Sequence, residues 1–165
     1  MSSSSEKKPY LVRAKDFTFR DASHPLNPTV HRDLAHISDA TGLTKAGVHL
    51  TRLPPKQESG VLHWHNNDDE WVYILSAGEG AVMLIKKGDE EVKEEPLKDG
   101  DFFGFPAASE IAHIMKSGEK EVVYLVGGSR EVMDVCYYPK MKKRLVVDRT
   151  EGLKTWIVSE EVIQQ

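Results

Sequence analysis

Beyond residue 46 the chain consists almost wholly of short apolar runs, broken roughly every ten residues by glycine, proline, asparagine or aspartate. No run is long enough to sustain a helical period, so that stretch can bury its apolar side chains only as strands packed face to face or closed on themselves. Residues 47–53 (GVHLTRL) alternate loosely and stop at Pro54-Pro55, which cannot continue a sheet interior. Residues 61–65 form a brief run ended by Asn66-Asn67-Asp68-Asp69, and residues 71–75 (WVYIL) have the β-branched and aromatic content of a packed strand. Residues 81–85 follow Gly78 and Gly80, and the very polar residues 90–98 read as a solvated edge strand. Residues 102–105, 113–117, 121–126 and 132–137 complete the series. An all-β sandwich or barrel is expected, with helix confined to a final turn within residues 159–165.

The flanks are less regular. Residues 1–9 carry four serines and little apolar surface and are expected to form a disordered arm. Residues 10–42, punctuated by Pro25 and Pro28, are expected to wrap over the barrel as strands and loops. With no repeat and no linker, residues 10–165 are expected to form one domain, its core spanning about residues 47–137. A formal charge of -4 offers no basic face for nucleic acid, and the basic residues 140–144 read as a solvated turn. No apolar run approaches the roughly 20 residues that span a bilayer, and the start lacks the apolar stretch of a secretion signal. A cytoplasmic protein with neither nucleic-acid nor membrane partners is expected. The single cysteine, Cys136, excludes an intramolecular disulfide and multi-cysteine metal sites, and is expected to be a small buried thiol. Gly127-Gly128-Ser129 is expected to be a strand-end turn, because no lysine-bearing helix follows to make a phosphate loop.

The chemistry concentrates in His63-Trp64-His65-Asn66-Asn67-Asp68-Asp69-Glu70. On a strand, residues two apart share a face, so His63 and His65 point the same way. If the next strand folds back as a hairpin, Glu70 returns its carboxylate to both imidazoles. Two nitrogens and one oxygen then form a facial array suited to a divalent first-row metal. With seven histidines a His-x-His pair arises readily by chance; the carboxylate that opens an apolar strand gives this one its weight. Asp69 is one residue from Glu70 and faces the other side, and Asp68 and Asp69 are expected to solvate the turn. His49 is placed on the barrel interior or rim, whereas His24, His31 and His36 are expected at the surface.

This spacing resembles the first motif of the cupin superfamily, with His63, His65 and Glu70 at the four-residue gap and Gly78 one residue late. The second motif is similar but altered. Gly100 and Pro106 match, Ala108 replaces a glycine, His113 falls two residues late, and Ser117 stands at an asparagine position. The resemblance covers residues 47–137. It implies a double-stranded β-helix, or jelly-roll barrel, with His63, His65, Glu70 and His113 as ligands of one divalent transition metal per chain, iron, manganese, nickel or zinc. A homodimer is implied by the same resemblance.

Such a centre keeps two open positions for water, dioxygen or a chelating substrate. Val72 and Ile74 follow Glu70 on its face, Met115 shares the face of His113, and Phe103 or Phe105 is expected in the wall. The pocket is therefore expected to be largely apolar, with Arg52 as its candidate anion partner. Should Glu70 not coordinate, it would serve as a base. A metal-dependent enzyme on a small molecule is expected, an oxygen-using dioxygenase first and an isomerase or lyase second. A binding or sensing barrel without chemistry is the alternative from another class.

Overall fold

The computed structural model describes residues 8–163; most of the expected disordered arm lies outside the described residues. After a short 3-10 turn at Ala14–Asp16, β1 (Arg20–His24) and β2 (Asn27–Ala35) form an antiparallel hairpin. Helix α1 (Ile37–Thr41) follows and ends at Gly42, whose φ of 80° is a left-handed stop that suits glycine. Next come β3 (Ala46–Leu53), β4 (Trp64–His65), β5 (Glu70–Ser76), β6 (Val82–Lys87), β7 (Lys93–Pro96) and β8 (Phe102–Phe105). The chain continues through β9 (Ile111–Lys116), β10 (Val122–Ser129), β11 (Met133–Tyr138), β12 (Lys143–Asp148), β13 (Lys154–Ser159) and the closing helix α2 (Glu160–Ile163).

One six-stranded sheet has the order β1-β2-β3-β10-β5-β8, and two smaller sheets have the orders β13-β12-β11-β4 and β7-β6-β9. The smaller sheets meet where His63 bridges His113. Strands distant in sequence lie side by side, β10 between β3 and β5, as a jelly-roll barrel requires. The period-two pattern explains the layering. On β5, Val72 and Ile74 are buried while Tyr73 and Leu75 are exposed; on β3, Thr51 and Leu53 are buried while Arg52 is exposed. Leu53, Ile74, Met83, Met115 and Val122 meet from the six-stranded and three-stranded sheets to form the core. Full burial of each such aliphatic side chain is worth about 1.5–3 kcal/mol. Strand β7 is exposed throughout, as its charges dictate.

Three expectations need correction. The leader does not simply wrap the barrel: β2 pairs with β3 in the register Leu34↔Thr51 and lengthens the main sheet. It therefore leaves Tyr73 uncovered, while Trp71 is covered from within its own sheet by the stacked ring of Phe102. Gly127-Gly128-Ser129 is not a turn but the end of central strand β10, paired on both sides. Glycine is needed there for close approach: a Cβ at Gly127 would lie 2.4 Å from Trp71 Cζ2, and one at Gly128 would lie 2.1 Å from the Asp69 carbonyl oxygen. The strand series does not end at residue 137, because β12 and β13 pair onto β11. Among the described residues no helix is long and apolar enough to cross a membrane.

Candidate metal centre

The expected hairpin between the histidine strand and the Glu70 strand does not form. Strand β4 pairs with β11, Trp64 opposite Tyr137 and His65 opposite Cys136. Strand β5 belongs to the other sheet, where Glu70 lies opposite Phe105 on one side and Gly128 on the other. The turn at residues 66–69 thus carries the chain from one sheet to the other, and the carboxylate reaches the imidazoles across the barrel.

The convergence is close all the same. Glu70 Oε2 lies 2.9 Å from His113 Nε2, 3.2 Å from His65 Nε2 and 3.9 Å from His63 Nε2. Each imidazole is held from behind through Nδ1. His63 Nδ1 donates to the Val61 carbonyl at 2.7 Å, His113 Nδ1 to the Ile111 carbonyl at 3.2 Å, and His65 Nδ1 to Asp134 Oδ2 at 2.6 Å. These acceptors fix the tautomer, so in the neutral rings all three Nε2 lone pairs face a carboxylate oxygen. Lone pairs gathered in this way repel unless a cation sits among them. The donor set fits a divalent transition metal: three neutral imidazoles and one carboxylate, oriented by outer hydrogen bonds.

In the metal-free state a proton on His65 Nε2 takes the cation's place beside Glu70. Burial, together with the charge of His65, holds His63 neutral down to about 3. Burial opposes ionisation of Glu70, but the charge of His113 and hydrogen bonds from His113 and His65 outweigh it and hold the carboxyl well below its usual range. Against burial, hydrogen bonds to Asp134, Cys136 and Glu70 raise His65 well above 6.5. Among the described residues, two groups of three have ligand atoms within 4.8 Å of one another, His63/Glu70/His113 and His65/Asp134/Cys136. The second reads better as the hydrogen-bonded support of His65, because its contacts use Nδ1 and leave Nε2 for the first.

Asp134 was not anticipated. It is completely buried, and its second oxygen accepts the backbone N–H groups of Asn67 and Asp68 at 2.9 and 3.2 Å. An aspartate inside the apolar run Val132-Met-Asp-Val-Cys136 was the available signal. Cys136 is the small buried thiol expected; burial raises its pKa, although His65 Nδ1 lies 3.4 Å away. Asp68 does not solvate the turn. It is buried, accepts Glu131 N–H at 2.7 Å and pairs with Arg149 at 2.8 Å. Asp69 is exposed and accepts Ala107 N–H at 2.8 Å, while Glu70 turns inward.

The altered second motif keeps the geometry its glycine would provide. Ala108 has a φ of 56°, and its N–H donates to the His65 carbonyl at 2.9 Å, tying the loop after β8 to the histidine strand. Ser117 donates to the Pro54 carbonyl at 2.6 Å. The stacked ring of Phe105, with centroids 3.5 Å apart, sets the plane of His113.

The four residues border a cavity of about 400 Å³. Val72, Met115 and His49 line it as expected; Ile74, Phe103, Phe105 and Arg52 do not. Ile74 is wholly buried in the core, Phe105 stacks against His113 away from the lining, and Phe103 stacks on Phe105. Arg52 lies on the outer face of β3 with its guanidinium 4.2 Å over the Phe19 ring. The guanidinium that lines the cavity belongs to Arg32 on β2. His24 also lines the cavity and is buried, contrary to expectation, whereas His31 and His36 are exposed. The β1–β2 hairpin buries His24 against Tyr138, a long-range contact that local sequence did not reveal. Burial holds both His24 and His49 neutral down to about 4, helped by Arg32 at His24 and chiefly by His36 and Arg130 at His49.

Comparison with known proteins gives this architecture a family. Residues 49–128 match the model of the cupin domain. A protein from Acidithiobacillus ferrooxidans, provisionally named a sugar phosphate isomerase, is 30% identical, with 92% of this chain and 93% of its own covered at a TM-score of 0.80. A cupin-superfamily sugar phosphate isomerase from Silicibacter pomeroyi is 28% identical, with 88% and 91% covered at a TM-score of 0.75. A protein from Thermotoga maritima named a predicted oxalate decarboxylase is 22% identical, with 73% and 99% covered at a TM-score of 0.57, a likeness of fold. No curated protein matches the chain at a significant level. In sequence and fold, the chain belongs to the cupin superfamily.

Proposed function

We propose that this protein is a metal-dependent isomerase of a small sugar phosphate, with His63, His65, Glu70 and His113 holding one divalent metal. The observation that carries the reading is the convergence of three Nε2 atoms on one Glu70 oxygen beside a cavity of small-molecule size. Support for the substrate comes from two near-full-length relatives, 30% and 28% identical, that bear the name sugar phosphate isomerase. When bound, the metal would act as a Lewis acid toward a carbonyl or hydroxyl oxygen.

The chain's own residues would do the rest. Val72, Met115 and Val126 line an apolar wall that excludes bulk water. His49 lines the cavity as a neutral imidazole whose Nδ1 is buried without a partner; it would accept a proton from substrate carbon as a weak base, its pKa being lowered to about 4. Tyr124, pushed up to about 12 by burial, stays a neutral phenol whose O–H can donate to a ligand. The oxygen-using reaction expected from the open positions shares this ligand set, but the two near-full-length relatives bear the name sugar phosphate isomerase, so isomerisation is the reading favoured here. A homodimer, implied by the family, belongs to the same proposal and is tested by light scattering.

Elemental analysis of freshly purified protein, beside proton NMR of aldose and ketose phosphates in D2O, tests the function. The expected result is a single metal per chain and deuterium entering the carbon beside the carbonyl, both lost in His65→Ala. Metal-loaded protein that interconverts none of these compounds, yet binds one equally well after chelation, would leave a binding barrel without chemistry.

A further inference from the structure

We infer that the Arg32 side of the cavity is a phosphate subsite, in which the Arg32 guanidinium and the Tyr138 phenol take the phosphomonoester of the substrate. The inference rests on the isomerase reading for the rest of the substrate, and names the residues that recognise its charged end. Arg32 lines the cavity, half-buried, and among the described residues it has no carboxylate within 4.0 Å. One of its five donors goes to the Ser59 carbonyl, which steadies the fork and leaves the others unassigned. Its charge acts on His24, His49, Tyr124 and Tyr138, all of which line the same cavity.

Tyr138 is pre-aimed by a short relay. Leu26 N–H donates to His24 Nδ1 at 3.1 Å, so the proton of this neutral ring sits on Nε2. That N–H faces the Tyr138 oxygen at 3.4 Å, and the phenol's own proton remains free to be given to a ligand. Gly60 lines the cavity beside His24 and Arg32; a Cβ there would lie 3.5 Å from His24 Cδ2 and 3.7 Å from Arg32 Nη1.

Charge selects the ligand. Among the described residues, Glu70 is the sole carboxylate in the lining. A divalent metal with neutral imidazoles, together with Arg32, leaves the cavity net positive by about two charges among largely apolar walls. A phosphomonoester dianion neutralises that charge, and its oxygens match the planar fork of arginine. A carboxylate neutralises only half of it.

Calorimetric titration with inorganic phosphate, and with acetate as the carboxylate arm, tests the subsite without requiring turnover. Metal-loaded wild type is expected to bind phosphate more tightly than acetate. Arg32→Gln is expected to weaken phosphate at least about tenfold, the scale of a lost charged hydrogen bond. Arg32→Lys, which keeps the charge but not the fork, is expected to weaken it at least about threefold, and decides the matter should Arg32→Gln fail to fold. Chelated wild type is expected to retain binding that depends on Arg32. Affinity in Arg32→Gln within twofold of wild type, Arg32→Lys binding unchanged where only that variant folds, or binding abolished by chelation, would overturn the inference and place phosphate on the metal instead. Because metal content and isotope exchange are measured separately, the subsite and the isomerase reading can fail independently.

Discussion

Asp134→Asn is the substitution that most directly probes how this centre is held. Asp134 Oδ2 accepts the Nδ1 proton of His65 at 2.6 Å, and Oδ1 accepts Asn67 and Asp68 N–H at 2.9 and 3.2 Å. Asparagine is nearly isosteric, and its oxygen can go on accepting the two backbone donors. Its amide nitrogen then faces His65 Nδ1, where donor meets donor. The ring is driven to the other tautomer, with the proton on Nε2, the atom that faces Glu70 at 3.2 Å and that a metal would use. Loss of such an outer partner costs about 10–100-fold in metal affinity, or roughly 1.4–2.7 kcal/mol. The fold is expected to lose only the charge-assisted bond, about 1.5–3 kcal/mol. Competition against a chromogenic chelator reads the affinity, and nitrogen chemical shifts of the His65 ring read the tautomer. Wild-type metal affinity in Asp134→Asn, with the Nδ1 proton unmoved, would refute the orienting role.

Two further outcomes follow from the same geometry. Gly128→Ala places a Cβ about on the Asp69 carbonyl oxygen, 2.1 Å away before relaxation, and is expected to destabilise the protein by about 1–3 kcal/mol or more in urea unfolding, because backbone rather than a flexible side chain must move. In chelated protein, His24 and His49 have folded pKa values lowered to about 4, so between pH 6.5 and 4 the unfolded chain binds more protons. Stability is therefore expected to fall as pH drops through that window, with a shallower fall in His49→Gln. His65, raised in the folded state, works the other way: its contribution is full below 6.5 and is lost as pH rises through its folded value. A thermal midpoint that stays flat between pH 6.5 and 4 would contradict the burial assigned to His24 and His49.

Much of the barrel was legible because strand patterning is local. The runs at residues 71–75 and 102–105 needed only β-branched and aromatic composition between turn residues to mark β5 and β8. The choice of Glu70 over Asp69 needed only the alternation of a strand, and Asp69 is indeed the exposed one of the two. Pairing partners are a different matter, since they depend on residues dozens of positions apart. The Gly127-Gly128 pair has the composition of a turn but lies in β10, because Trp71 and the Asp69 backbone press against it. The anion partner suggested by proximity in sequence, Arg52, faces outward, whereas Arg32 enters the cavity because β2 pairs along β3.

By itself, then, the sequence determined which residue types could meet, two histidines on one strand face and a carboxylate opening another strand, since side-chain direction along a strand is a property of the strand alone. Tertiary structure decided how they meet. His63 and His65 face Glu70 across the barrel instead of within a hairpin, while Asp134 reaches His65 from behind, and His24 and Arg32 reach the cavity, from strands that no local pattern connects to the motif. The physical reason is that burial and hydrogen-bond partners are supplied by neighbouring strands, and a jelly roll draws those neighbours from opposite ends of the chain.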